Sequence, residues 1–129
     1  MSGDTINHPR PLCAGYLRRL DGVDEPVEQR LIADMCALAE REGFTLTLVF
    51  IEKRPARTAA LDAVTRYCQR HGIHDVVVPS RDHLNTLPSL AYLAEELLHQ
   101  DIGGQVWIVA PTEEEESSCP LTIENGGTT

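Results

Sequence analysis

Arginine side chains follow each of the first three predicted strands of this 129-residue chain. Arg18 follows the first strand, Arg57 the second and Arg81 the third. A guanidinium group presents a planar fork of N–H donors that fits the oxygens of a phosphate. The carboxyl ends of parallel strands meet at one edge of a sheet, and α/β sheets bind ligands there. The three arginines are therefore candidates for binding an anion or a partner. Equally, Arg18, Arg81 and Asp82 could form an ion-pair network that only holds the loops.

The sequence offers few residues arranged for nucleophilic catalysis. Ser80, Asp82 and His83 superficially suggest a triad, but three near neighbours on one loop rarely reach the face-to-face geometry that a triad needs. Gly103 and Gly104 precede a predicted strand, whereas a phosphate-cradling glycine loop opens a helix. We expect no cofactor.

A metal site is not expected either. Cys68, His71 and His74 could supply three ligands, yet Gly72 and the change from helix to strand between them favour an ordinary helix end. The cysteines lack the tight spacing of a disulfide framework, so we expect reduced thiols. They are Cys13, Cys36, Cys68 and Cys119.

Apolar periodicity predicts strands and helices in strict alternation. The predicted strands cover residues 12–17, 44–51, 75–78 and 105–110, and the predicted helices cover about 26–41, 58–70 and 87–100. This β-α-β-α-β-α-β order predicts an α/β single-domain three-layer sandwich with a mainly parallel sheet.

The helix faces that should be buried follow from the same periodicity. In the first helix the buried stripe is Val27, Leu31, Met35, Leu38 and Ala39, with Glu28 off it. In the second it is Leu61, Val64 and Cys68. In the third it is Leu87, Leu90, Ala91, Ala94, Leu97 and Leu98, after a Thr86 cap and with Pro88 in the first turn.

The charge distribution argues against direct DNA binding. The net charge is −9, and residues 111–129 hold five of the 20 acidic residues and none of the 11 basic ones. The remainder is still acidic, whereas DNA-binding domains usually show a basic face. We divide the chain into an N-terminal extension (1–10), an α/β domain (11–111) and an acidic disordered tail (112–129).

Nothing in the sequence predicts a membrane protein. No apolar run reaches the about 18 residues of a spanning helix, and the N-terminus lacks the apolar core of a signal peptide. We expect a cytoplasmic location.

The first strand and its end carry a resemblance to a known family. Gly15-Tyr16-Leu17-Arg18-Arg19-Leu20 resembles the Gly-Tyr-x-Arg-Val-Ser opening of the serine recombinase catalytic domain, the resolvase and invertase type. The family's nucleophilic serine corresponds to Leu20. The resemblance covers roughly residues 15–111 and includes the segment 75–86, which lies over the family's Asp-Val-x-Val…Leu-Asp-Arg-Leu-Gly-Arg.

Carried over position by position, the resemblance matches four polar residues and leaves three departures. The matched positions are Arg18, Gln29, Arg57 and Asp82. The departures are Leu20, His83 and Thr86, the last two standing where the family has arginines. In the family, the serine attacks a DNA phosphodiester and arginines stabilise the transferring phosphate. The resemblance therefore implies a domain in which this chemistry is lost.

The leading hypothesis is a catalytically inactive resolvase-like domain, a pseudoenzyme that serves as a protein-interaction or regulatory module. The family's long dimer helix and DNA-binding module are not indicated after the fourth strand. We expect a homodimer or a protein partner, because a domain without that dimer helix would leave apolar surface on a helix or on the edge of the fourth strand. One alternative is an accessory protein in DNA recombination that reaches DNA through a partner. Another is an enzyme or binder acting on a small phosphorylated ligand at the arginine-lined edge.

Overall fold

The computed structural model describes residues 10–54 and 57–110. Its four strands are β1 (Leu12–Arg18), β2 (Thr45–Glu52), β3 (Asp75–Val78) and β4 (Gln105–Ile108). Its three helices are α1 (Glu25–Arg41), α2 (Ala59–His71) and α3 (Pro88–Ile102), and a 3-10 turn covers Arg81–His83. The predicted order of elements is confirmed, with boundaries that move by one or two residues.

All strand pairs are parallel, and the strand order is β2-β1-β3-β4. β1 lies at the centre and pairs with β2 along its whole length, so that Arg18 stands opposite Glu52. The pairing shifts once, between Cys13 and Ala14. The predicted α/β fold with a parallel sheet is confirmed.

Helices cover both faces of the sheet. On one face, α1 forms a core cluster with the sheet from Cys13, Met35, Leu38, Ala39 and Val77. On the other, α2 and α3 pack over strand residues of opposite parity, among them Ala14, Tyr16, Val76 and Val78. α1 lies so close to β1 that a Cβ on Gly15 would come within 2.7 Å of Met35 Cε. A larger residue at position 15 would require the Met35 side chain to move.

The helix ends follow local chemistry, with one exception. Asp24 accepts a hydrogen bond from the Val27 amide and caps α1, and Gly72 ends α2 in the left-handed conformation as predicted. The predicted Thr86 cap of α3 is wrong, because the cap residue is Leu87. The Asn85 side chain accepts from the Leu87 amide, which fixes the turn one residue earlier.

The buried face of α3 is narrower than predicted. Ala91, Leu98 and Ile102 are buried, but the prediction that Leu87, Leu90 and Leu97 are buried is wrong. At 100° per residue the apolar arc of α3 is wider than the surface beneath it, so part of the arc faces solvent. We call Leu87, Leu90, Leu93 and Leu97 the α3 leucine stripe; they are 42–58% exposed.

The expected extension and acidic tail lie, apart from Arg10, outside the described residues. Within the described ranges, none of the helices has both the length and the apolar content needed to cross a bilayer.

Candidate functional site

The carboxyl ends of β1 and β2 hold a buried polar group of side chains. We call Tyr16, Arg18, Glu52 and His83 the strand-end cluster. Tyr16 and Arg18 are two residues apart on β1 and so share one face of the sheet, and Glu52 ends the neighbouring strand. Arg18 and Glu52 are only 6% and 5% exposed, which is rare for charged residues without partners.

Tyr16 connects the two charges. Its hydroxyl oxygen accepts from Arg18 Nε at 3.2 Å and Nη2 at 3.1 Å, and its O–H donates to Glu52 Oε1 at 3.3 Å. Glu52 Oε1 also accepts from the Ala60 amide in the first turn of α2, at 2.9 Å. Burial raises the pKa of Tyr16 to about 12, so the phenol keeps its proton at neutral pH. The opposite charges thus stabilise each other through a shared hydroxyl.

His83 ties the 3-10 turn to the end of β1. Its Nδ1 accepts from the Arg18 backbone amide at 2.9 Å, and the side chain is buried. Burial lowers the pKa of His83, so the ring is neutral at pH 7, with its proton on Nε2 because Nδ1 accepts. His83 thus holds the backbone of Arg18 in place.

Leu20, which the resemblance matches to the family's serine, is half-buried in a tight turn. The Leu20 amide donates to the Arg18 carbonyl at 2.9 Å, and the Val23 amide donates to the Leu20 carbonyl at 3.0 Å. Gly22 in this turn has φ of 86°. The chain therefore leaves β1 through a compact turn that carries the aliphatic side chain of Leu20.

Arg19 forms a partly buried ion pair with α1. Arg19 Nε pairs with Glu28 Oε2 at 2.8 Å, and Glu28 is buried although the helical periodicity placed it off the buried stripe. The expectation that Glu28 faces solvent is therefore wrong, since α1 turns it toward the β1 end. Gln29, which was matched to the family's glutamine, is exposed.

Arg57 lines an open pocket beside the strand-end cluster. The pocket has a volume of about 340 Å³ and is lined by Ile51, Glu52, Lys53, Arg54, Arg57, Ala59 and Ala60. Three cationic side chains thus surround the start of α2, where backbone amides favour negative charge. Glu52 occupies part of that helix end through its bond to the Ala60 amide.

Arg81 has different neighbours from Arg18. Its Nε lies 2.6 Å from Glu95 Oε1 on α3, and its guanidinium lies over the Tyr92 ring, 4.8 Å from the centroid. Asp82 accepts from the Ser80 hydroxyl. The polar contacts of Arg18 go to Tyr16 and His83 within the described ranges, so they do not follow the Arg18–Asp82 pairing of the network hypothesis. Arg57 and Arg81 line separate pockets.

The described cysteines and histidines have separate surroundings. Cys13 and Cys68 are buried free thiols, and burial raises the pKa of each to about 11, so both are protonated and unreactive at neutral pH. The His71 ring packs at a tilt against the Tyr67 ring, and His74 Nδ1 forms a hydrogen bond with the Ile102 carbonyl. Among the described residues, no three such side chains are grouped closely enough to hold a metal ion.

Sequence reasoning did not identify Tyr16, Glu52, Glu28 or Glu95 as members of these contacts. Tyr16 and Arg18 at i and i+2 on one strand were a usable signal, since such residues share a face. The acidic residue Glu52 at the end of the apolar run of β2 was a second usable signal. The contacts of Glu28 and Glu95 depend on how α1 and α3 are rotated about their own axes on the sheet. No local sequence pattern specifies that rotation.

The described residues have the fold of serine recombinase catalytic domains, with three helices on a four-stranded parallel sheet. The C-terminal catalytic domain of ISC1926 TnpA, an IS607-like serine recombinase, matches with a TM-score of 0.63 and 17% identity, over 83% of this chain and 76% of that one. The N-terminal catalytic domain of TP901-1 integrase matches with a TM-score of 0.61 and 14% identity, over 85% and 84%. No protein-family model and no curated protein matches the sequence. The fold expected from the resemblance is confirmed.

Proposed function

We propose that this chain is a serine recombinase-like domain that does not cleave DNA and that acts through protein contacts, as an interaction or regulatory module. The observation that carries the proposal is the aliphatic side chain of Leu20 in the turn after β1. In the resembled family a serine hydroxyl attacks the phosphodiester, and a leucine has no atom that can attack phosphorus.

No other described serine takes over this role. The Ser80 hydroxyl donates to Asp82 in the loop after β3, and Ser89 is exposed in the first turn of α3. His83 could act as a general base only through a free ring nitrogen, but Nδ1 accepts from the Arg18 amide and Nε2 carries the proton. Ser80 therefore has no histidine base of the triad type.

The stabilisation of a transferring phosphate is reduced as well. His83 and Thr86 stand where the resembled family has arginines, and His83 is buried and neutral. Removing one preorganised charge-stabilising group commonly raises a barrier by about 3 kcal/mol. The proposal thus rests on the loss of the nucleophile together with the loss of part of its electrostatic support.

The test is a cleavage assay on supercoiled plasmid with the full chain, scored for nicks and for covalent protein–DNA adducts. We expect no product from the wild type, from Leu20→Ser or from Leu20→Ala, even at excess protein, because the hydroxyl alone does not restore the arginines. Cleavage by the wild type would overturn the proposal. Nicking by Leu20→Ser that is absent from Leu20→Ala would show a site still competent for chemistry.

A second candidate function is anion binding at the Arg57 pocket. Lys53, Arg54 and Arg57 line its described wall, and a phosphorylated small molecule has the charge and oxygen geometry to match them. The same cations could contact DNA phosphates in an accessory role, within a complex whose partner supplies the basic surface that this acidic chain lacks.

Inorganic phosphate titrated into the full chain tests the second candidate, with binding followed by amide chemical shifts. We expect Arg57→Gln to weaken the binding and Arg70→Gln, at the opposite end of α2, to leave it unchanged. Equal responses in the two variants would mean that phosphate responds only to net charge. A salt-sensitive submicromolar shift of duplex DNA by the isolated protein would contradict the partner-dependent role.

A further inference from the structure

The α3 leucine stripe is an unusual surface for a small acidic domain. Its four leucines are 58%, 42%, 53% and 50% exposed in chain order. The three within α3, Leu90, Leu93 and Leu97, fall within an arc of about 60°, and Leu87 is the residue that caps the helix. Scattered exposed leucines need no explanation, but a continuous row on one helix marks an interaction surface. Ala94 lies beside the row and is half-buried, which leaves room for another backbone to approach.

The spacing of the stripe is self-complementary. Leu90, Leu93 and Leu97 follow the i, i+3, i+7 pattern of a helix–helix seam. A twofold axis near Leu93 would place Leu90 of one copy against Leu97 of the partner subunit and bring the two Leu93 side chains together. A C2 interface requires a surface of this kind, in which one patch matches itself.

The charges on α3 select the antiparallel arrangement. Glu96 and Asp101 lie in the C-terminal half of the helix, Glu95 at its centre is paired with Arg81, and residues 88–94 carry no charge. Antiparallel pairing places each acidic half against an uncharged half and sets the two helix dipoles in opposition. Parallel pairing would set the acids of each copy against their counterparts, which is repulsive.

The composition of the chain's own acidic segment argues against it as the occupant. Residues 112–118 are one threonine, four glutamates and two serines, so they bring no apolar side chain to cover the leucines. A second copy instead offers the uncharged N-terminal half of its own α3. The stripe is therefore better matched by another copy of this chain than by the chain's tail.

We propose that two copies of this chain associate through an antiparallel pairing of their α3 leucine stripes. This pairing identifies a second copy of the chain as the partner in the proposed interaction role, and to that extent it rests on the proposed function. An interface of one helix from each copy is small beside the about 1,600 Å² of a standard one. The association is thus a concentration-dependent equilibrium.

Sedimentation of the full chain over a wide concentration range measures this equilibrium. We expect the wild type to shift from monomer to dimer and Leu93→Glu to raise the dissociation constant at least about tenfold, because the charge would sit at the symmetry axis. Leu48→Glu is the matched control, since Leu48 is a 47% exposed leucine on β2 and carries the same substitution. It should dimerise as the wild type does.

A charge-swap pair tests the antiparallel geometry. Leu90→Lys and Leu97→Glu should each weaken the dimer, whereas the double variant should recover it, since lysine then faces glutamate twice across the axis. A parallel dimer would be weakened further by the double variant. Circular dichroism verifies that each variant is folded.

The outcomes separate this inference from the proposed function. A wild type that stays monomeric at the highest concentration, or a dimer that Leu93→Glu leaves intact, overturns the pairing and does not affect the absence of DNA cleavage. A dimer that pairs as described in a chain that cleaves DNA would overturn the proposed function alone.

Discussion

The strand-end cluster and the α3 leucine stripe reverse the usual distribution of polarity. The cluster buries an arginine, a glutamate and a histidine at the sheet edge, and the stripe exposes four leucines on a helix. In the cluster the charged groups find hydrogen-bond partners within the domain, through Tyr16 and the Ala60 amide. The stripe has no corresponding cover in the described residues. The strand-end cluster thus stabilises the domain itself, whereas the α3 leucine stripe is available to a partner.

Glu52→Ala should have the largest effect on this contrast. It removes the anion that shares the Tyr16 hydroxyl with a buried arginine, and it leaves that hydroxyl and the Ala60 amide without their acceptor. We therefore expect the free energy of unfolding to fall by about 3 kcal/mol. Denaturant titration measures the change. Glu52→Gln keeps an acceptor and should lose less. A loss under about 0.5 kcal/mol would show that the cluster does not stabilise the domain.

His83→Leu should come next. The leucine fills a similar volume but leaves the buried Arg18 amide without an acceptor, which costs about 2 kcal/mol. The same denaturant titration applies, with His99→Leu in the exposed last turn of α3 as the control. Equal stability of the two variants would mean that solvent replaces the His83 acceptor.

The pH dependence of stability should show a smaller effect of the same histidine. Because burial lowers the pKa of His83 in the folded state, protons bind the unfolded chain more readily. Stability is therefore fully present above the unfolded pKa of about 6.5 and is lost as pH falls below it. Thermal unfolding between pH 7.5 and 5 should show a steeper loss in the wild type than in His83→Gln. Parallel curves would exclude His83 as the cause.

Leu90→Gln should have the smallest effect on the fold. The side chain is 42% exposed and stands on the α3 leucine stripe, so we expect a change within about 0.5 kcal/mol when the protein is dilute and monomeric. Leu98→Ala, on the buried side of the same helix, should cost several times more, about 2–5 kcal/mol. A large loss in Leu90→Gln would mean that the stripe belongs to the core of the single domain.

Local patterns were sufficient for the fold. The apolar runs of β3 and the αL glycine after α2 are short-range signals, and both were predicted at the observed residues. The candidate site was harder because its contacts join residues far apart in sequence, such as Tyr16 with Glu52 and Arg81 with Glu95. The exposure of the α3 leucine stripe was not predicted, because periodicity defines the width of an apolar arc and does not define how much of the sheet and of α2 is available to cover it.

The single shift in β1–β2 pairing settles which side of the sheet receives Glu52. Before it, Leu46 points toward α1; after it, Val49 points toward α1 and Phe50 packs on the α2 side. The extra residue thus exchanges odd and even positions along the rest of β2. Continued without it, the parity of Leu46 would carry Glu52 to the α1 face, on the far side of the sheet from Tyr16. One inserted residue near the start of β2 therefore decides the electrostatics of a strand end about 17 Å away.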